Sequence, residues 1–129
     1  MLNASNNHLR EVPTELCYMK KLKKLSLQRN HLVRLPVIFG TMSSLIELRI
    51  GYNRIEMLSE ELFLDPLGLA SSLKYFECCE NNIQELPVSV YNVDPECRFD
   101  AGFNPLISPP FEILKDGLAA VQVAVRVCE

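Results

Sequence analysis

The chain contains no tryptophan, and only ten of its 129 residues are Phe or Tyr. Glycine is scarce at five residues, and with eight prolines the total stays far below a collagen-like or low-complexity composition. No apolar run approaches the ~18–20 residues that a membrane-spanning helix needs, which predicts no membrane span. The segment Met1–Arg10 is polar and lacks the apolar stretch of a secretory signal. The cysteines are odd in number (Cys17, Cys78, Cys79, Cys97 and Cys128) and include no C-x-x-C pair. That argues against a disulfide framework and for a reducing, cytoplasmic location. Also missing are G-x-G-x-x-G, a P-loop, H-E-x-x-H and a nucleophile elbow, so the expectation is a protein that is not an enzyme and carries no cofactor or metal.

What is present suits one folded domain. Hydrophobic residues make up 48% and charged residues 22%, enough to build a core. The net charge of −3 gives no general reason to expect nucleic acid or an anionic membrane as partner. It hides an asymmetry, however. Residues 1–44 carry seven Lys and Arg against two Glu, whereas residues 45–129 carry six against fourteen Asp and Glu.

Asparagines recur at Asn7, Asn30, Asn53, Asn81 and Asn104, at spacings of 23, 23, 28 and 23. The clearest copy of the surrounding pattern is Leu22-x-x-Leu25-x-Leu27-x-x-Asn30-x-Leu32-x-x-Leu35-Pro36. Leu45 to Leu58 and Leu73 to Pro87 follow it in register. The copy from Leu2 is cut short, and the one from Phe99 is degenerate. An apolar-x-apolar step is the alternation of a short strand, with Leu25 and Leu27 pointing in and Ser26 pointing out. So short a strand cannot bury its apolar face alone, but stacked copies build a parallel sheet over a continuous core. Leu32, Leu35, Phe39 and Met42 fill the return path. Pro13, Pro36 and Pro87 fall on the non-sheet side, where proline costs no ladder hydrogen bond. Each Asn sits where the backbone leaves the strand, and a buried amide there satisfies turn donors and acceptors.

This pattern resembles the leucine-rich repeat family, whose core is L-x-x-L-x-L-x-x-N-x-L. The L-x-x-L-P continuation and the 23-residue period are similar to the intracellular subgroup that includes Erbin, Scribble and the Ras-pathway scaffold proteins. The resemblance implies an α/β fold: a solenoid of about five repeats over residues 1–110, short parallel strands on its concave face, and a C-terminal cap over 111–129. The run Asn104-Pro105-Leu106 to Pro109-Pro110-Phe111, followed by Gly117-Leu118, resembles the family's closing segment, with a helix expected at Phe111–Asp116. At the other end Leu2, Leu9, Val12 and Leu16 are expected to face water. The expectation is that upstream repeats or a partner cover them and that the chain is a piece of a longer array.

The third repeat is five residues longer, around Leu62 to Leu69. A longer convex segment with a helical turn before Asp65-Pro66 accounts for it. A protruding contact site carrying Phe63, Leu64 or Leu67 is the alternative. His8 and His31 share a turn position with Arg54, Asn82 and Pro105, which reads as solvent-facing rather than as a metal or base site. Cys78 reads as a core residue. Cys79 points to the open sheet face and is the more reactive candidate, and no Cys78–Cys79 disulfide is expected.

Alternation also places the outward residues. One column holds Lys24, Glu47, Tyr75 and Arg98, and another holds Ser26, Arg49, Glu77 and Asp100. Near the strand exits stand Arg29, Tyr52, Glu80 and Phe103. Rings and charges at these places serve no core layer and are the types enriched at interface hot spots. Glu77, Glu80 and Asp100 favour a basic patch on a partner, and the lysines at 20–24 favour an acidic one. The expected function is a noncatalytic protein-interaction module, a scaffold or adaptor. The resemblance implies signalling or cytoskeletal partners, with small GTPases and protein phosphatases among the family's partner classes. The alternatives are the recognition arm of a larger signalling enzyme (a kinase, phosphatase or ubiquitin ligase) and a structural cytoskeletal component.

Overall fold

The computed structural model describes residues 1–106. Five short strands lie in one parallel sheet in chain order: β1 (Leu2–Asn3), β2 (Lys24–Ser26), β3 (Glu47–Arg49), β4 (Tyr75–Glu77) and β5 (Arg98–Asp100). The molecule is a small α/β fold. Its register aligns Leu25 with Leu48, Phe76 and Phe99, and Lys24 with Glu47, Tyr75 and Arg98. These are the columns that the residue spacing predicts.

Parallel neighbours need a crossover. Here it runs through 3-10 helices at Thr14–Tyr18, Val37–Thr41, Glu60–Phe63 and Val88–Asn92. Proline precedes three of them, at Pro13, Pro36 and Pro87, with φ of −60°, −59° and −66°. That restricted φ suits a helix start, where an N–H has no partner to give. Ser59 takes the fourth position and caps instead, its Oγ accepting the Glu61 N–H at 3.2 Å. The Glu60 carboxylate then caps the next helix by accepting the N–H groups of Val88 and Ser89.

Between sheet and helices lies the core. Leu25, Leu48, Phe76 and Phe99 form one fully buried row, and Leu27, Ile50, Cys78 and Ala101 form the next. Phe76 stacks on Phe99 at 5.0 Å between ring centres, and Phe63 meets both rings at 5.6 and 6.3 Å. Phe63 is therefore a core residue and not part of a protruding contact site. Its 3-10 helix turns it inward, and only Leu64 and Leu67 stand exposed. The helical turn before Asp65 is present, and a short α1 (Leu69–Ser72) follows it. The extra residues fit because position 40 is glycine. A Cβ at Gly40 would meet the Glu61 carbonyl at 2.7 Å, and Gly68 packs on the Gly40 backbone.

Val12 also departs from expectation. It is buried, because it joins the core cluster that contains Leu35, while Leu2, Leu9 and Leu16 are partly covered. The expected helix at Phe111–Asp116 and the cap over 111–129 lie outside the described residues. Among the described residues no helix is long and apolar enough to cross a membrane.

Candidate functional site

The face of the sheet turned away from the core carries the residues that alternation assigned to it. Beyond β1, β2, β3 and β4 the ladder to the next strand continues for two more pairings. Leu27 N–H reaches Arg49 O at 2.8 Å, and Arg29 N–H reaches Gly51 O at 3.0 Å. The chain then turns at a residue with positive φ: Asn6 (59°), Arg29 (58°), Tyr52 (58°), Glu80 (54°) and Phe103 (56°). Sequence reasoning placed Arg29, Tyr52, Glu80 and Phe103 in one column but did not foresee the left-handed backbone, since these four are not residue types that favour it.

The Asn residues that follow close the turn. Asn53 Nδ2 donates to the carbonyls of Leu27 (3.0 Å), Ile50 (2.9 Å) and Gly51 (3.1 Å), while its Oδ1 accepts from Leu32 N–H at 3.0 Å. Asn30, Asn81 and Asn104 repeat this arrangement. Asn7 is exposed and, among the described residues, its side chain bonds only the carbonyls of Ala4 and Ser5.

On the open face arginines lie over tyrosine rings. The Arg29 guanidinium sits 4.2 Å from the Tyr52 ring centre. Arg49 and Arg98 approach Tyr75 at 4.9 and 5.3 Å. Each such contact is worth about 0.5–1 kcal/mol at an exposed site and holds a long side chain in place. Arg49 Nε also donates to Glu47 Oε2 at 3.1 Å. That hydrogen bond is the main reason Arg49 holds its proton more firmly than a free guanidinium. Burial pushes the Tyr75 hydroxyl pKa up, against the pull of Arg49 and Arg98, so the phenol is neutral. Glu47, Arg49, Tyr75 and Arg98 thus form one connected group across β3, β4 and β5.

The other assigned residues stand apart from that group. Lys24 is exposed beside Glu47 in register. Glu80 and Phe103 are exposed at the turns, and Asp100 is half-buried, its Oδ1 accepting the Gly102 N–H at 3.1 Å. Glu77 differs from its expected role as an open charge: only 5% of its surface is accessible. Its carboxylate accepts the Gly51 N–H at 2.6 Å and the Gln28 side-chain amide. Position 51 is glycine, and the carboxylate occupies the room a side chain would take. Gln28 was missed as a functional neighbour. The signal was there in its column, where Gln28 and Cys79 flank a glycine.

Cys79 is half-buried on the open face. Burial and then the neighbouring Glu77 and Asp100 charges push its thiol up to about 12, which disfavours the thiolate that reacts. Burial likewise raises Cys17 to about 11 and Cys97 to about 12. His8 and His31 stack at 5.3 Å with Nδ1 and Nε2 3.1 Å apart. Among the described residues no group of three or more His, Cys, Asp or Glu is placed to hold a metal. Comparison of the chain with protein-family models gives no match, and comparison with curated proteins gives none either.

Proposed function

We propose that this chain is a leucine-rich repeat solenoid of about five repeats whose concave sheet face binds a protein partner without catalysis, as a cytoplasmic scaffold or adaptor. The observation that carries this reading is the Glu47–Arg49–Tyr75–Arg98 group. The Tyr75 ring and the Arg49 side chain are half-exposed, Arg98 is exposed, and both guanidinium groups lie over the one ring. Tyr and Arg in such a setting lose little freedom on binding, which suits them to be interface anchors. Small GTPases and protein phosphatases are the partner classes that the family resemblance favours.

The test is to identify proteins retained on the immobilised chain by mass spectrometry and then titrate the partner by calorimetry. Arg49→Ala and Tyr75→Ala should each weaken binding about fivefold or more, as truncated hot spots do. Glu15→Ala, Arg34→Ala and Glu85→Ala, at exposed positions off this face, should leave it unchanged. The reverse pattern would move the interface to the helix side.

A further inference from the structure

A second surface lies on the edge where the chain enters each strand. Along that edge the charge changes sign in order. Lys20, Lys21 and Lys23 precede β2, Ser43 and Ser44 precede β3, Ser71, Ser72 and Lys74 precede β4, and Asp94 and Glu96 precede β5. Lys74 Nζ is paired with Asp94 Oδ2 at 3.0 Å. Lys20, Lys21 and Lys23 are exposed and, among the described residues, meet no carboxylate at ion-pair distance.

Their display is fixed by the backbone. Met19 N–H donates to Leu16 O at 3.1 Å, and Leu22 N–H donates to Met19 O at 3.1 Å. The second bond closes a turn with Lys20 and Lys21 at its two central positions. Leu22 is buried and anchors it. Directly beside the lysines, Tyr18 and Met19 are 68% and 46% exposed. Lys24 opens β2 on the same flank.

We infer that this edge docks on an anionic phospholipid surface, with Tyr18 and Met19 at headgroup level and the lysines in the negative potential of the membrane. The charge is all ammonium with no guanidinium in the stretch from Tyr18 to Lys24. Compact point charges suit a diffuse field of headgroups, whereas directional phosphate contacts call for the arginine fork. Tyrosine places an apolar ring and a polar hydroxyl on either side of a membrane boundary. The net charge of −3 is unevenly spread, with residues 1–44 carrying seven Lys and Arg against two Glu, so the lysine end is locally positive. Asp94 and Glu96 stand three strands from β2, roughly 14 Å at a strand spacing of ~4.8 Å. That exceeds the ~8 Å over which charges act at physiological salt. The two acidic residues therefore act only weakly on the field around the lysines, and contact is made by the β2 end of the edge.

The experiment is vesicle co-sedimentation of the full chain with phosphatidylcholine alone and with one-third phosphatidylserine. Retention is expected only on the anionic vesicles and should vanish at high salt. The variant Lys20→Gln/Lys21→Gln/Lys23→Gln should bind roughly a hundredfold more weakly, at about fivefold per lysine. Its thermal unfolding should match the parent, because all three positions are exposed. The chain has no tryptophan, so Tyr18→Trp supplies a single reporter. Its emission should shift to the blue on anionic vesicles. Equal retention on neutral vesicles, no retention, or parent-like binding of the triple variant would overturn the inference. So would lysine-dependent binding to mixed-sequence RNA with no vesicle binding, which would assign the edge to nucleic acid.

Discussion

The carboxylate of Glu77 fills the space above Gly51 and accepts its amide N–H at 2.6 Å. An acidic side chain on β4 and a missing side chain beyond β3 are one device, and neither position tolerates change alone. Gly51→Ala forces the carboxylate aside and should destabilise the fold by about 1–3 kcal/mol. Glu77→Ala leaves the Gly51 N–H and the Gln28 amide without their acceptor, at a cost of about 1–3 kcal/mol. In the double variant the new methyl no longer meets a carboxylate, so its cost should fall short of the sum. Urea denaturation of the four proteins measures the coupling, and additive costs would mean that the two residues do not interact.

Asn53→Leu removes three donated hydrogen bonds and one accepted one inside the turn. The expected loss is about 1–3 kcal/mol. Leu48→Ala should cost about 2–5 kcal/mol by opening a cavity beneath β3. Denaturation midpoints for both, set against the exposed control Glu85→Ala, check the expectation. Losses within 0.5 kcal/mol of the parent, the scatter of neutral surface changes, would contradict the structural roles of both side chains.

The strand register was legible because it rests on spacing alone. Counting from each Asn puts Lys24, Glu47, Tyr75 and Arg98 in line, and the sheet aligns them so. The buried amides were legible for the same reason. Alternation also assigned the face of each candidate site residue, but not its accessibility. Glu77 is enclosed by groups from two other segments, Gln28 and Gly51, and no local pattern reports that. Phe63 was left open between the core and a contact site, because the added residues obscured which side of its helix meets Phe76. The left-handed turns were hidden because Arg, Tyr, Glu and Phe do not announce positive φ.

Cys79 should be a slow nucleophile. A thiol pKa of about 12 against 9.0 for the ordinary group lowers the thiolate fraction about a thousandfold near pH 8. In a Cys128→Ser background, reaction with a chromogenic disulfide, followed by mass spectrometry of the labelled sites, should find Cys79 unmodified until the protein is unfolded. Rapid labelling of the folded protein at Cys79 would contradict this.

His31 should make stability fall on acidification. Desolvation, then the charges of Arg54, His8 and Arg10, lowers its pKa below the ordinary 6.5. The unfolded chain therefore takes up a proton at this site before the folded one does. Stability from this source is constant above about pH 6.5 and declines below it. Denaturation midpoints followed from pH 7.5 to 5 should decline less in His31→Gln than in the parent. Identical profiles would remove His31 from the acid response.

The five residues at positive φ have a consequence for engineering. A side chain in that conformation costs about 1 kcal/mol or more relative to glycine, and asparagine is the mildest case. Replacing Arg29, Tyr52, Glu80 and Phe103 by glycine would release that cost, offset in part by the greater freedom of the unfolded chain. Thermal robustness and surface chemistry are thus set against each other at the same four positions. A variant selected only for heat resistance would drift toward a bare turn and lose the Arg29–Tyr52 stack along the way.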